Sequence, residues 1–129
     1  ISIARFWEDK VEFTSAAMPP IYHYHGETGK TDEILLEGLP LGSIKGETYS
    51  QVEIGFKKKD VFVFISDGLP EATNLSEQML GYKAVLNCVR ENGSKSAEEI
   101  KQVLLDMGKA WLGDLRNQDD ITIVVVKKN

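Results

Sequence analysis

Two groups of acidic residues stand where their carboxylates could meet. Asp67 follows the apolar run 61–65 after one intervening serine, and Asp119 with Asp120 comes directly before the apolar run 121–126. Both runs are typical of buried strands. If the two strands are antiparallel neighbours, the carboxylates emerge at the same edge of the sheet and converge. If the strands are parallel, the carboxylates fall at opposite ends, so the prediction of a shared site depends on strand direction.

Carboxylates gathered at a sheet edge suit a hard divalent cation, because oxygen ligands favour Mg²⁺ or Mn²⁺ over Zn²⁺. Gly68 follows Asp67 and allows the backbone to turn sharply. Each acidic segment taken alone is also typical of an ordinary turn or strand entry. Their joint placement beside the two most apolar strands favours a metal site.

Two histidines and one cysteine are the other candidates for chemistry. His23 and His25 stand two residues apart on a predicted strand and therefore share a face, which makes half of a metal site. No third ligand lies nearby in the sequence, so we expect a surface or packing role for both. Cys88 lies beside an apolar helical stripe, and we expect a buried thiol rather than a nucleophile.

The elements that must position these residues fall into two parts. Short strands fill the first half, and antiparallel hairpins are expected because no connection there is long enough for a crossover helix. Two helices and a final strand follow, with Ser96 and Glu99 spaced as a capping box at the start of the second helix. The predicted strands are 1–7, 11–13, 21–25, 33–36, 48–56, 61–65 and 121–126, and the predicted helices run over 76–91 and from Ser96 to about Trp111.

Length and composition limit the classes of function. The chain has 129 residues, which fits a single domain over 1–129, and its 42% hydrophobic and 27% charged residues are typical of a globular protein. A net charge of -5 argues against a nucleic-acid or anionic-membrane partner. One cysteine excludes an internal disulfide and suits a reducing, cytoplasmic location. The apolar runs are too short to cross a bilayer. Because the chain opens inside a strand pattern without an initiator methionine, we expect it to belong to a larger protein.

The motifs resemble those of a known enzyme family. Residues 67–72 read Asp-Gly-Leu-Pro-Glu-Ala, and residues 119–122 read Asp-Asp-Ile-Thr about fifty residues later. This pair is similar to the metal-dependent PPM/PP2C serine/threonine phosphatases, in particular to the bacterial SpoIIE and RsbU branch. Segments 15–20 and 38–42 also match that branch, so the resemblance spans nearly the whole chain.

The resemblance implies a fold and an activity. The fold is α+β, a layered PP2C-like sandwich of largely antiparallel strands with two helices packed on a sheet, with the N-terminal strands and helices of the full domain missing. Asp67 and Asp119 would be ligands of a two-metal centre of Mn²⁺ or Mg²⁺, with Gly68, Glu71 and Asp120 in supporting roles. Water activated by the two metals would hydrolyse phosphoserine or phosphothreonine in a partner protein. By resemblance, that partner is a STAS-type anti-anti-sigma regulator.

The sequence departs from the family pattern at three places. The family's Asp-x-x-Gly-His-Gly segment, whose aspartate bridges both metals, is absent from this chain. Residues 16–20 read Ala-Ala-Met-Pro-Pro where many relatives carry Gly-His-Asn-Pro-Pro. Pro70 replaces a common threonine. Two aspartates are too few for a two-metal centre. Either the chain is the C-terminal part of a larger catalytic domain, possessing an upstream sensor domain as well, or it is a catalytically incomplete module for interaction or dimerisation.

Overall fold

The computed structural model describes residues 1–129 and contains seven strands and two helices. Six strands precede the helices and one follows them, as the sequence predicts. In chain order the elements are β1 (Ser2–Phe6), β2 (Lys10–Ser15), β3 (Ile21–Tyr24), β4 (Thr31–Ile34), β5 (Gln51–Gly55), β6 (Val61–Ile65), α1 (Tyr82–Asn92), α2 (Ala97–Leu112) and β7 (Ile123–Lys127).

The strands form two sheets, and every pairing is antiparallel. The first sheet has the order β1-β2-β5 and the second the order β4-β3-β6-β7. β1 with β2 and β3 with β4 are pairs of consecutive strands, as expected from their short connections. The α+β class and the antiparallel arrangement predicted from the sequence are therefore confirmed.

Strand β6 is the centre of the packing because its side chains enter two cores. Val61, Val63 and Ile65 belong to the larger core, between the second sheet and the helices. Phe62 points the other way, into a smaller core against the first sheet. The molecule is thus built in three layers, sheet on sheet on helices. This double burial explains why β6 is apolar at every position.

Helix α1 begins later than the sequence predicts, at Tyr82 rather than residue 76. The side-chain oxygen of Asn74 accepts hydrogen bonds from the backbone N–H of Ser76 (2.9 Å) and Gln78 (3.0 Å), which holds this segment in a turn. Glu77 adopts a φ of 59°, which is incompatible with a helix. The apolar periodicity that continues N-terminal to Tyr82 is therefore not helical, and Met79 is exposed.

The other boundaries shift by a few residues. β4 and β7 occupy Thr31–Ile34 and Ile123–Lys127 instead of 33–36 and 121–126, because pairing with β3 and β6 sets their ends. The predicted capping box is confirmed: Ser96 Oγ accepts from the N–H of Glu99, and the Glu99 carboxylate accepts from the N–H of Ser96. Neither helix has the length and apolarity needed to cross a membrane.

Truncation of the larger core should destabilise the fold strongly. Leu104 on α2 is fully buried, so Leu104→Ala should lower the free energy of unfolding by about 2 to 5 kcal/mol. Leu75→Ala, at a position that is 79% exposed, should change it by less than about 0.5 kcal/mol. Urea unfolding followed by circular dichroism measures both, and equal effects would contradict the assignment of this core.

Candidate active site

Strands β6 and β7 run antiparallel, as a shared site for the two acidic segments requires. The two strands are antiparallel neighbours, and Ile65 at the end of β6 lies opposite Ile123 at the start of β7. Asp67 follows the first strand by two residues and Asp119 precedes the second by four. The two acidic segments therefore emerge at the same edge of the sheet.

Hydrogen bonds hold these two segments against each other. The backbone N–H of Ser66 donates to the carbonyl of Thr122 (3.0 Å), which extends the strand ladder by one step. The Ser66 hydroxyl accepts from the N–H of Thr122 (2.9 Å) and donates to the carbonyl of Asp120 (3.0 Å). Ser66 is thus a structural residue that ties the segment before Asp67 to the segment after Asp119.

Gly68 is required by a close backbone approach. A Cβ atom at this position would lie 2.3 Å from the carbonyl oxygen of Asp120 and 3.3 Å from that of Asp119. The side-chain amide of Asn117 spans the same contact, since it donates to the carbonyls of Gly68 (2.9 Å) and Asp119 (2.6 Å). Only a residue without a side chain permits this contact between the two acidic segments.

Asp67 faces a pocket that also contains Glu71 and Tyr82. The pocket has a volume of about 430 Å³ and is otherwise lined by Ala17, Met18, Pro19, Pro20, Glu33 and Leu35. The Tyr82 hydroxyl approaches the Glu71 carboxylate at 3.5 Å. Burial, and then the negative charges of Glu71 and Asp67, raise the pKa of Tyr82. This electrostatic influence places the three side chains in one environment.

The acidic residues of this edge are available to a cation. Asp67, Glu71, Asp119 and Asp120 are all exposed, and they offer the hard oxygen donors that Mg²⁺ and Mn²⁺ bind. One oxygen of Asp119 accepts from the N–H of Asp120 (2.8 Å), which leaves the other free. However, no three acidic or histidine side chains gather closely enough here to enclose an ion. The carboxylate oxygens thus suit Mg²⁺ or Mn²⁺, but this edge alone offers too few of them to surround an ion.

Two neighbours of this edge were not predicted from the sequence. Asn117 precedes the Asp-Asp pair, and its role depends on a contact with Gly68 that is distant in the chain. Tyr82 falls within the predicted helix 76–91, and its hydroxyl approaches the carboxylate of Glu71, which the helical pattern does not indicate. Ala17 and Met18 line the pocket beside Asp67.

A family model decides which proteins this chain is related to. The model described as Stage II sporulation protein E (SpoIIE) matches residues 5–129. The chain belongs to the SpoIIE family. No curated protein matches its sequence.

Solved structures of SpoIIE-like phosphatase domains have the same fold. The SiaA PP2C domain of Pseudomonas aeruginosa is 20% identical, with a TM-score of 0.75 over 93% of this chain and 47% of that one. The manganese-soaked SpoIIE phosphatase domain of Bacillus subtilis is 18% identical, with a TM-score of 0.76 over 100% of this chain and 56% of that one. A structure of the RsbU and RsbW domains of Rv1364c from Mycobacterium tuberculosis is 19% identical, with a TM-score of 0.68 over 92% and 32%.

These matches confirm the predicted PP2C-like fold of the SpoIIE and RsbU branch. The chain spans about half the length of the SiaA and SpoIIE domains that it matches. The roles of Asp67, Asp119, Gly68, Asp120 and Glu71 remain predictions from the sequence.

Filling the space at Gly68 should separate the two acidic segments. Gly68→Ala should lower the free energy of unfolding by about 1 to 3 kcal/mol, because the new methyl group collides with the Asp120 carbonyl. Gly55→Ala is the matched control: its Cβ would meet no atom within 4 Å, so the change should be near zero. Thermal or urea unfolding distinguishes them, and a fully stable Gly68→Ala would contradict the contact.

The ionisation of Tyr82 should report on Asp67. In metal-free protein, Asp67→Asn should lower the pKa of Tyr82, since it removes one of the negative charges that raise it. An ultraviolet titration of phenolate absorbance, with Tyr82→Phe to assign the signal, measures the change. Asp106→Asn on α2 serves as the control for a distant charge. If Asp67→Asn leaves the pKa of Tyr82 unchanged, the conclusion that Asp67 shares an environment with Tyr82 is wrong.

Proposed function

We propose that this chain supplies part of the catalytic centre of a metal-dependent phosphatase that hydrolyses phosphoserine or phosphothreonine in a partner protein. The observation that carries the proposal is the convergence of the Asp67 and Asp119 segments at one sheet edge, through the antiparallel pairing of β6 and β7. Membership of the SpoIIE family supports it.

Asp67 and Asp119 are the residues that would hold Mn²⁺ or Mg²⁺. When bound, these ions supply an activated water and neutralise charge on the phosphoryl oxygens. The protein's part is to fix its carboxylates: Ser66, Gly68 and Asn117 hold the two backbone segments together. Asp120 contributes its backbone to the same contact. A metal site requires such support, because ligand positions must be set before the ion binds.

Glu71 and Tyr82 would act beside the metal ligands. Their side chains line the pocket that Asp67 faces, and the Tyr82 hydroxyl is protonated at neutral pH, like that of any tyrosine whose pKa is not lowered. A protonated phenol is a hydrogen-bond donor, so Tyr82 would orient Glu71. In this position Glu71 would contact the metal shell through water.

The pocket is suited to a segment of protein chain as substrate. It is open on one side, and Pro19, Pro20 and Leu35 give it an apolar border next to the acidic group. We propose a STAS-type anti-anti-sigma regulator as the phosphorylated partner, on the strength of the SpoIIE family match and the RsbU-containing structural relative.

An alternative is a phosphatase-like module that binds or dimerises without hydrolysis. The small number of ligands at the sheet edge favours it, as does the Ala16-Ala17-Met18 segment in place of a polar one. The two proposals differ in whether phosphate is released.

Phosphate release by the full gene product that contains this chain tests the proposal. With Mn²⁺ and a phosphorylated STAS protein, Asp67→Asn and Asp119→Asn should each reduce the rate by at least about 100-fold, because loss of a ligand should exceed the 10–100-fold cost of removing a residue that only supports one. The control Asp106→Asn lies on the exposed side of α2 and should retain full activity.

Two results would contradict the proposed hydrolysis or its assigned residues. A wild-type protein that binds the phosphoprotein but releases no phosphate would establish the non-catalytic alternative. Release that is insensitive to both substitutions would contradict the assignment of Asp67 and Asp119.

A further inference from the structure

A group of side chains with metal-ligand atoms lies at the opposite end of β6 from Asp67. His23, His25 and Asp60 each present one ligand atom, and these three atoms lie within 4.8 Å of one another. Asp60 precedes the first residue of β6 and Asp67 follows the last, which puts about 20 Å of strand between the two sites. This group is therefore independent of the proposed phosphatase centre.

Tertiary structure brings the three residues together. His23 and His25 lie on and just after β3, and register pairs His23 with Phe62, two residues beyond Asp60. The Phe62 ring stacks on the His23 ring at a centroid distance of 4.2 Å and an angle of 10°, which fixes the imidazole. The rings of His23 and His25 are 4.1 Å apart.

The Asp60 carboxylate is oriented by the backbone. Oδ1 accepts from the N–H of Gly26 (2.8 Å), and Oδ2 accepts from the N–H of Lys57 (2.9 Å). Burial raises the pKa of Asp60, but these two hydrogen bonds and His23 outweigh burial and hold the pKa below its usual range. A buried, ionised and fixed carboxylate of this kind is suited to hold a cation.

The spacing of His23 and Asp60 matches a tetrahedral ion. His23 Nε2 and Asp60 Oδ2 are 3.3 Å apart, a long distance for a hydrogen bond. Two ligands of one tetrahedral Zn²⁺, at bond lengths of about 2.0 to 2.2 Å, are separated by about 3.3 to 3.5 Å. The pair is thus already spaced as two ligands of one ion.

His25 and Asp32 complete the arrangement on the solvent side. His25 Nε2 lies 2.7 Å from Asp32 Oδ2, a distance at which one tautomer of the ring donates Nε2–H to the carboxylate. In that tautomer the lone pair on Nδ1 is available to an ion. Metal-binding histidines commonly donate their other N–H to a carboxylate in this way. The His25 side chain is 33% exposed, which gives an ion a route of entry.

We propose that His23, His25 and Asp60 form a Zn²⁺ site, with Asp32 supporting His25 and water as the fourth ligand. Two imidazoles and one carboxylate favour Zn²⁺ over Mg²⁺, whereas the all-oxygen donors near Asp67 favour the reverse.

Metal titration of the purified chain, free of any polyhistidine tag and stripped with a chelator, tests the site. Co²⁺ is the spectroscopic probe and Zn²⁺ the competitor, in a protein carrying Asp67→Asn and Asp119→Asn so that the other sheet edge does not contribute. We expect one equivalent of Co²⁺ with visible bands typical of a low-coordinate site, displaced by one equivalent of Zn²⁺.

Substitutions in the same background assign the ligands. His25→Gln should weaken Zn²⁺ binding by at least about 100-fold, and Asp32→Asn by about 10- to 100-fold. Glu27→Gln is the control, because Glu27 is an exposed carboxylate in the adjacent turn, paired with Lys57, and should leave binding unchanged. These positions are less buried than His23 and Asp60, so the variants should fold, which circular dichroism verifies.

Two outcomes would overturn the proposal. One is no stoichiometric binding of Co²⁺ or Zn²⁺ to the chain, which would make the group a hydrogen-bonding network. The other is binding of equal strength in the Asp67→Asn/Asp119→Asn protein with and without His25→Gln. Neither outcome depends on phosphatase activity, so this site and the proposed function can fail separately.

Discussion

The antiparallel pairing of β6 and β7 is the constraint on which the rest of the structure depends. Its register places Ile65 opposite Ile123, and a slip of one residue would turn every side chain of β7 to the other face. The larger core packs against Ile123 and Val125, and the smaller core packs against Val126. Burial on both faces therefore fixes the register, and the register fixes which residues emerge together at the sheet edge.

Backbone contacts beyond the strands hold the two acidic segments together at this edge. The Ser66 hydroxyl and the Asn117 amide satisfy backbone groups of the facing segment, and the missing side chain of Gly68 allows the two to touch. The acidic side chains themselves make few contacts and remain exposed. The contacts thus hold the backbone around Asp67 and Asp119 in place, while the carboxylates themselves stay exposed and accessible to a ligand.

Features encoded locally could be predicted from the sequence, and those made by distant contacts could not. The apolar run of β6 and the Ser96 to Glu99 capping box are local patterns, and both were predicted correctly. The predicted start of α1 was wrong because the Asn74 side chain holds residues 76–78 in a turn, although the apolar residues there recur with helical spacing.

The two candidate sites show the same division. Asp67 and Asp119 could be paired from the sequence only under a stated strand direction, which the structure then provides. The group at the other end of β6 was missed because Asp60 lies 37 residues from His23, and only the pairing of β3 with β6 brings them together. Both histidines were expected to pack or lie on the surface, and His23 is indeed buried against Phe62.

If β6 and β7 bring Asp67 and Asp119 to one metal centre, both carboxylates should bind the same ions. Anomalous diffraction from Mn²⁺ in crystals of the full gene product that contains this chain tests this proposal. We expect Mn²⁺ at this sheet edge, with both Asp67 and Asp119 among the ligands of a single centre. Mn²⁺ bound elsewhere, or held by one of these aspartates without the other, would contradict it.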